Sequence, residues 1–302
     1  MTRRSPTGMA LPELMVALAV GAMLVLAASA LVMQARNSYL LTGDLARIEE
    51  NGRFAVAILG QAVRQAGYRD WGAAGAVEAD WPAVSGLDAR SLRDRSDGIG
   101  GPYGAAVNGS DVLALRFDGN RAGSGDTAMR NCAGASVAAD APGAGWSIFY
   151  IANDSLGEPE LRCKYRTASG WNSDALVRGV DGFQVLYGLA DAADGAAPLR
   201  YASASVVAQE ATGWQRVVSL KVALLLRGNQ PGPARSRRYD LFGADYADYA
   251  GYADYAGYAD RFDPADSGVR VEEARLPPAS RGLQRRIHAA TIFLRNRGEA
   301  GA

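Results

Sequence analysis

Glu13 is a carboxylate at the start of a long apolar run, and its position calls for a chemical role. The 20 residues from Leu14 to Met33 carry no charge. A charged side chain in a membrane-spanning run costs roughly 2.5–3.5 kcal/mol at the centre and less near the end, so such residues are functional candidates by default. In lipid, such a carboxylate requires a cation as its partner.

The other reactive side chains are few and form no catalytic pattern. The chain has one histidine, His288, and its lysines are Lys164 and Lys221. A lone histidine is more often structural than catalytic, and neither lysine lies in a P-loop that could hold phosphate. Together with Cys132 and Cys163, His288 supplies too few nitrogen and sulfur ligands for zinc. We therefore predict that the protein is not an enzyme and has no metal site and no cofactor.

The segment after Glu13 is long enough to cross a membrane. Twenty helical residues span about 30 Å, the thickness of a bilayer core. Arg3 and Arg4 precede the segment, so the positive-inside rule leaves the N-terminus in the cytoplasm and exports the rest of the chain. Three interpretations are open at this stage: a secretory signal peptide cut after Ala30, a plain signal anchor, and a signal in which Glu13 has a role.

Residues 8–14, Gly8-Met9-Ala10-Leu11-Pro12-Glu13-Leu14, resemble the class III signal of type IV prepilins. The resemblance implies that a prepilin peptidase cuts after Gly8 on the cytoplasmic side and N-methylates the new first residue, Met9. It also implies that the apolar helix is retained and that Glu13 is the assembly residue, paired with the amine of Met9 on a neighbouring subunit. Met9 and Pro12 depart from the usual residues of this signal, although proline is tolerated in a first helical turn.

Beyond the apolar run, the spacing of small and apolar residues predicts that the helix continues. They recur in steps of four and three, at Leu41, Leu45, Ile48, Gly52, Ala55, Leu59, Ala62 and Ala66. No proline occurs between Pro12 and Pro82, and Gly67 is a plausible helix end. We therefore predict a leader at residues 1–8 and one helix within residues 9–67, with a membrane-spanning part at about 14–33 and a periplasmic half at about 34–67.

Two further segments resemble PilW-type minor pilins of type IV pili. One is Arg47-Ile48-Glu49-Glu50-Asn51-Gly52-Arg53-Phe54-Ala55 with Arg64-Gln65-Ala66-Gly67-Tyr68, and the other is the chain end from Arg285 to Arg297. The resemblance is strong over about 8–70 and 284–297 and weak between them. It implies a low-abundance subunit that helps to prime pilus assembly, near the tip.

The remainder, residues 68–302, has the pattern of a globular head. Short runs rich in β-branched and aromatic residues at 111–117, 147–151, 161–166, 180–189, 217–227 and 287–295 predict strands. Asp181-Gly182 suggests a turn that leads into one of them, and residues 70–110 suggest a long loop region. We expect an α+β, pilin-like fold in which a mostly antiparallel sheet packs on the second half of the helix.

The predicted export determines how the two cysteines are interpreted. Two cysteines in an exported chain favour a disulfide, here Cys132 to Cys163, although two free thiols are the alternative. In the chain-entropy model, a disulfide that closes a loop of this length stabilises the folded chain by roughly 3–4 kcal/mol.

Residues 245–260 repeat Asp-Tyr-Ala and Gly-Tyr-Ala with a period of three, which fits polyproline II geometry. We interpret the repeat as a low-complexity insertion at the surface, with a partner-binding or adhesive surface as the alternative.

These features predict an assembly subunit that crosses the bacterial inner membrane once and has its head in the periplasm. The subunit is then expected to enter the pilus fibre or reach the cell surface. The expected partners are prepilin peptidase, other minor pilins, the major pilin and a tip adhesin, and twitching motility and adhesion are functions that such fibres serve. The net charge is zero, so nucleic acid is not directly implied as a partner. Two alternatives share the stem: a minor pseudopilin of a type II secretion system similar to GspJ, and a membrane-anchored periplasmic adhesin.

Overall fold

The structure is a computed structural model that describes residues 11–70, 81–120, 128–137, 145–191, 197–232, 237–244 and 267–296. The predicted α+β class is confirmed, because a long N-terminal helix is followed by antiparallel sheets. The chain divides into two compact units, the first ending at Ala46 and the second beginning at Arg47. The last five turns of the helix therefore belong to the same unit as the sheets.

Helix α1 extends over Leu11–Gln65. Its bounds agree with the absence of proline inside it and with Pro12 in its first turn, where no intrahelical hydrogen bond is lost. The helix ends because Gly67 has a φ of +75°, a left-handed conformation that favours glycine. The backbone N–H of Gly67 donates to the carbonyl oxygen of Arg116 at 2.9 Å, which ties the helix end to a strand.

The described residues of the head form eleven strands in three antiparallel sheets. The strands are β1 (Val84–Leu87), β2 (Val112–Phe117), β3 (Gly145–Asn153), β4 (Pro159–Thr167), β5 (Gly170–Arg178), β6 (Val180–Ala190), β7 (Pro198–Ala202), β8 (Val217–Pro231), β9 (Arg238–Asp240), β10 (Arg270–Glu272) and β11 (Leu283–Phe293), with a short helix α2 (Ala204–Gln209) after β7. Strands β1 to β5 form a meander in sequence order. The second sheet has the order β11-β8-β6-β7, and β9 pairs with β10.

All six predicted strand regions are strands, but two predictions about their surroundings are wrong. The region 70–110 contains β1, which pairs with β2. Asp181-Gly182 is not a turn: it lies inside β6, where the register with β8 shifts between Val180 and Gly182. The chain passes from β5 of the five-stranded sheet to β6 of the second sheet at Gly179, whose φ is +73° and whose N–H donates to the carbonyl oxygen of Pro159.

The predicted helix face is buried from Ile48 onward. Ile48, Ala55, Leu59 and Ala66 are at most 1% exposed, whereas Leu41 and Leu45 are only partly buried. Burying a side chain of the size of isoleucine or leucine contributes about 1.5–3 kcal/mol relative to leaving it in water. Burial of this face therefore holds the last five turns of α1 against the sheets.

Residues 88–104 cover one face of the five-stranded sheet. Leu92 and the partly buried Ile99 pack against Ile148 and Tyr150 of β3. The Lys164 ammonium lies beneath this segment and donates to the Arg93 carbonyl oxygen at 2.9 Å. The segment is therefore an ordered cover for the sheet, although it contains no strand after β1.

Candidate functional site

The predicted assembly residue Glu13 lies in the first turn of α1. The side chains around it and through the apolar run are exposed, with Leu14 at 51% and Met33 at 68%. The helix is long and apolar enough to cross a membrane. Gly8 and Met9, the predicted cleavage and methylation residues, lie outside the described residues, as does the repeat at 245–260.

Farther along, α1 makes a very close contact with β11, the outer strand of the second sheet. A Cβ atom added at Gly52 would lie 2.4 Å from Cγ, Cδ2 and Cε1 of His288, so the imidazole ring fills the space that a side chain would need. The His288 side chain is only 13% exposed. The position of its ring against the helix gives this histidine a packing role.

Two charged contacts lie beside the ring. His288 Nε2 is 3.9 Å from Glu49 Oε2, and Arg286 Nε is 4.0 Å from Glu49 Oε1. Both distances exceed a hydrogen bond, and the Glu49 side chain is 51% exposed. Exposed ion pairs of this kind contribute little, so shape and not charge dominates this part of the contact.

A second contact closes the C-terminal end of α1. The side-chain amide of Asn296 donates to the carbonyl oxygen of Arg64 at 3.0 Å and reaches those of Gln65 and Ala66 at 3.5 Å. The last carbonyl groups of a helix have no partner within it, and Asn296 supplies one. A Cβ atom at Gly67 would lie 1.9 Å from the Asn296 carbonyl oxygen. We call the Gly52–His288 and Asn296–helix end contacts together the helix–β11 contact.

A buried ion cluster fixes the beginning of β11. Arg285 is fully buried, and its Nε donates to Asp181 Oδ2 at 2.7 Å. Its Nη2 donates to the Ser280 carbonyl oxygen at 2.6 Å, and Nη1 lies 3.4 Å from Glu273 Oε1. Burial raises the pKa of the Asp181 carboxyl, and the charges of Arg285 and Arg227 act against that rise. The register shift between Val180 and Gly182 of β6 thus accompanies an Asp181 carboxylate that contacts Arg285 at the beginning of β11.

The structure contains the predicted disulfide between Cys132 and Cys163. Their Cα atoms are 5.9 Å apart, within the range that disulfides adopt. Cys163 lies in β4 and Cys132 lies in a loop. The backbone N–H of Cys132 donates to Ser147 Oγ of β3 at 3.0 Å. The bridge and this hydrogen bond fix the loop on two neighbouring strands.

The family model of type IV pilus-assembly protein W, PilW, matches residues 148–296. This part of the chain is similar to the proteins of the PilW family. The predicted resemblance is therefore confirmed, and the match extends across the middle of the chain, where the quoted motifs gave little indication of it. It includes most of the head from β3 onward, with Arg285, His288 and Asn296. No curated protein matches the chain significantly.

One solved structure, a type IV-like pilin from Thermus thermophilus, is similar at 11% identity and a TM-score of 0.39. The similarity covers 84% of this chain and 99% of that one.

The two PilW-like segments meet in space, which their sequences alone did not indicate. Gly52 and Gly67 come from the first segment, and His288 and Asn296 come from the second. The one indication of this contact in the sequence was Gly52. A glycine in the middle of a helix costs about 1 kcal/mol relative to alanine, so its presence suggests a close packing contact.

Proposed function

We propose that this chain is a minor pilin that takes part in type IV pilus assembly as a priming or tip subunit. Prepilin peptidase cuts it between Gly8 and Met9 and N-methylates Met9. Other minor pilins and the major pilin are its partners in the fibre, and a tip adhesin is a further partner. One observation carries the proposal: a head whose residues 148–296 match the PilW family model follows a helix with an exposed, uncharged stretch, residues 14–33, directly after Glu13.

Each part of the chain has a role in this proposal. Residues 1–8 are the leader, residues 9–67 form the stem, and residues 68–302 form the periplasmic head with the repeat at 245–260. The stem spans the inner membrane at about 14–33, with the N-terminus in the cytoplasm because Arg3 and Arg4 precede it.

Glu13 gives the stem its assembly role. In the membrane, the Glu13 carboxylate pairs with the methylated amine of Met9 on a neighbouring subunit, so that neither charge is left alone in lipid. The helix–β11 contact holds the part of the stem from Arg47 onward to β11 within the same compact unit.

Mass spectrometry of the mature N-terminus tests the processing step. We expect a first residue of Met9 carrying one methyl group, and an uncut chain in cells that lack prepilin peptidase. An intact Met1, or a cut after Ala30, would refute the proposed stem.

A substitution of Glu13 tests the assembly step separately. Glu13→Val should leave cleavage unchanged and prevent incorporation into pili, measured by immunoblotting sheared fibres and counting pili. Glu50→Gln, at an exposed glutamate of the same helix, is the matched control and should assemble normally. Normal piliation with Glu13→Val would contradict the assembly role.

The strain with Glu13→Val also distinguishes the minor pilin from the pseudopilin and the membrane-anchored adhesin. A GspJ-like pseudopilin would be needed for secretion through a type II system and not for pili. A periplasmic adhesin that uses the helix only as an anchor would function equally well with Glu13→Val.

A further inference from the structure

Strand β11 is an outer strand, because the second sheet has the order β11-β8-β6-β7. One row of its backbone N–H and C=O groups bonds to β8, and the other row points away from the sheet. The register of β11 with β8 shifts between Leu283 and Arg285 and then continues without a bulge to Phe293. The outward row is therefore long and regular, as pairing with a further strand requires.

A hydrogen bond just beyond β11 shows which residues form the outward row. The N–H of Leu294 donates to the carbonyl oxygen of Val218, the residue opposite it in the continued register, at 3.0 Å. Bonded and non-bonded pairs alternate along an antiparallel ladder. The even-numbered residues of β11 from 286 onward therefore bond to β8, and the odd-numbered residues from 287 onward direct both backbone groups outward. These are Ile287, Ala289, Thr291 and Phe293, which we call the β11 edge.

The side chains of the β11 edge are exposed as well. Ile287 is 37% and Phe293 is 55% exposed, and no member of the edge carries a charge. Side chains alternate between the two faces of a strand, so His288 and Ile292 lie on the other face, where the His288 ring contacts α1. In the part of the chain that the structure describes, the outward N–H and C=O groups of the edge have no hydrogen-bond partner. The edge thus presents unbonded peptide groups beside apolar side chains.

The other outer strands of the two larger sheets have features that oppose pairing with another chain. Strand β1 has four residues, and β7 has five residues and begins with Pro198. Strand β5 is longer, but it carries the exposed charged side chains of Asp174 and Arg178. Short length, proline and charge all protect the edges of sheets. From Ile287 to Phe293, β11 has none of these protections, which indicates an edge that binds a partner.

A second copy of this chain does not fit the β11 edge. The edge runs in the same direction as α1, because the helix–β11 contact joins Gly52 to His288 and, farther along both elements, the helix end to Asn296. Antiparallel pairing of two β11 edges about a twofold axis would therefore direct the head-bound parts of the two helices in opposite directions. Stems that enter one membrane from the same side cannot adopt this arrangement. Parallel pairing would place the exposed faces of the two strands on opposite sides of the joint sheet, so their apolar side chains would not meet.

We propose that the β11 edge binds an extended, uncharged strand of a different protein, which adds to the second sheet beside β11. Outward peptide groups at alternate residues match those of another strand, and this mode of recognition is β-strand addition. We expect antiparallel pairing, as in the strand pairs that the structure describes, with apolar side chains of the partner opposite Ile287 and Phe293. The choice of a different protein rests on the proposed insertion of the stem, whereas strand addition itself does not.

Binding of a peptide to the full mature chain in detergent tests strand addition by fluorescence anisotropy. The probe is a labelled peptide with blocked ends and the sequence Thr-Val-Thr-Ile-Thr-Val-Thr. In an antiparallel pair, two residues that exchange hydrogen bonds have their side chains on the same face. The N–H groups of valine and isoleucine should therefore bond to the β11 edge when their side chains face Ile287 and Phe293. N-methylation of valine and isoleucine should weaken binding by about tenfold or more, and N-methylation of the threonines should leave it unchanged.

Two variants at one position test the edge from the side of the protein. Thr291→Pro removes an outward N–H that takes no part in the ladder with β8, and proline is tolerated on outer strands where the N–H faces solvent. This variant should bind the unmodified peptide about tenfold more weakly, while its circular dichroism spectrum stays unchanged. Thr291→Val keeps the N–H and should bind the peptide at least as tightly as the parent chain does. The two N-methylated peptides decide the question even if Thr291→Pro does not fold.

Three outcomes would overturn the proposal. One is a folded parent chain that does not bind the unmodified peptide at about 1 mM. Another is equal binding of the two N-methylated peptides, because the peptide would then not add to the edge as a strand. The third is a dimer of the mature chain, measured by sedimentation, that Thr291→Pro abolishes, because the edge would then bind a second copy. None of these measurements requires pili, so a failure here is distinguishable from a failure of the Glu13→Val prediction.

Discussion

Replacing Gly52 by alanine would test the packing of the helix against β11 directly. Alanine is favoured over glycine in a helix by about 1 kcal/mol. At this position, however, the new Cβ atom would lie 2.4 Å from three atoms of the His288 ring, so the ring or the helix must move. Overpacking in a well-packed region costs about 1–3 kcal/mol. We expect Gly52→Ala to lower the free energy of unfolding by about 1 kcal/mol.

Gly60→Ala is the matched control on the same part of the helix. The nearest atom to its added Cβ is Nη1 of Arg64 at 3.2 Å, the end of a flexible side chain that can move at little cost. This variant should be neutral or more stable than the parent chain, by up to about 1 kcal/mol. Urea unfolding of the mature chain in detergent, followed by tryptophan fluorescence, measures both variants under identical conditions.

A double-mutant cycle with His288→Ala isolates the contact. Without the imidazole, the same Gly52→Ala change should become stabilising by about 1 kcal/mol, which gives a coupling energy of roughly 1–3 kcal/mol. A coupling energy near zero, or a Gly52→Ala variant as stable as Gly60→Ala, would show that the ring does not occupy the space above Gly52.

Three more changes test other contacts by the same unfolding measurement. Asn296→Ala should cost about 1 kcal/mol and Asn296→Asp more, because a carboxylate at a helix C-terminus opposes the helix dipole; equal stability of all three chains would contradict the capping role. Arg285→Met should cost about 3–5 kcal/mol, and the double variant with Asp181→Asn should be more stable than Arg285→Met alone, because the buried Asp181 carboxylate is then no longer left without its Arg285 partner. Burial lowers the pKa of Lys164 to about 8, so the unfolded chain binds more protons above that pH. The stability of the parent chain relative to Lys164→Met should therefore rise by ~1 kcal/mol from about pH 8 to 10, and parallel pH profiles would refute this.

The sequence predicted the elements whose pattern is set by local burial. The helix bounds followed from the prolines and from Gly67, and long strands such as β6 and β8 were visible because they are apolar over most of their length. Strand β5 was missed because it is an outer strand with mostly polar, exposed residues. Strands β9 and β10 were missed because three residues are too few for an alternating pattern.

The contacts between distant segments could not be predicted from spacing. The hydrogen bond from Asn296 to Arg64 joins residues 232 positions apart. Asp181 was interpreted as part of a turn because Asp-Gly commonly forms one. In the structure it lies inside β6, where its carboxylate is buried and paired with Arg285. The disulfide was predictable, since only one pairing of two cysteines exists. The pairing of Arg116 with Trp146 and of Arg166 with Trp171 depends on the register of the strands, which the sequence does not provide.

The position of β11 in the chain has a consequence for biosynthesis. The strand that packs on the helix and the asparagine that caps it are synthesised after all the other described elements, whereas the helix precedes them all. On the proposed topology, the stem can enter the bilayer while the head is still being exported and cannot yet pack on it. The order of translation thus separates membrane insertion from folding, and a chain that stops before β11 would insert its stem without completing the packing of the head.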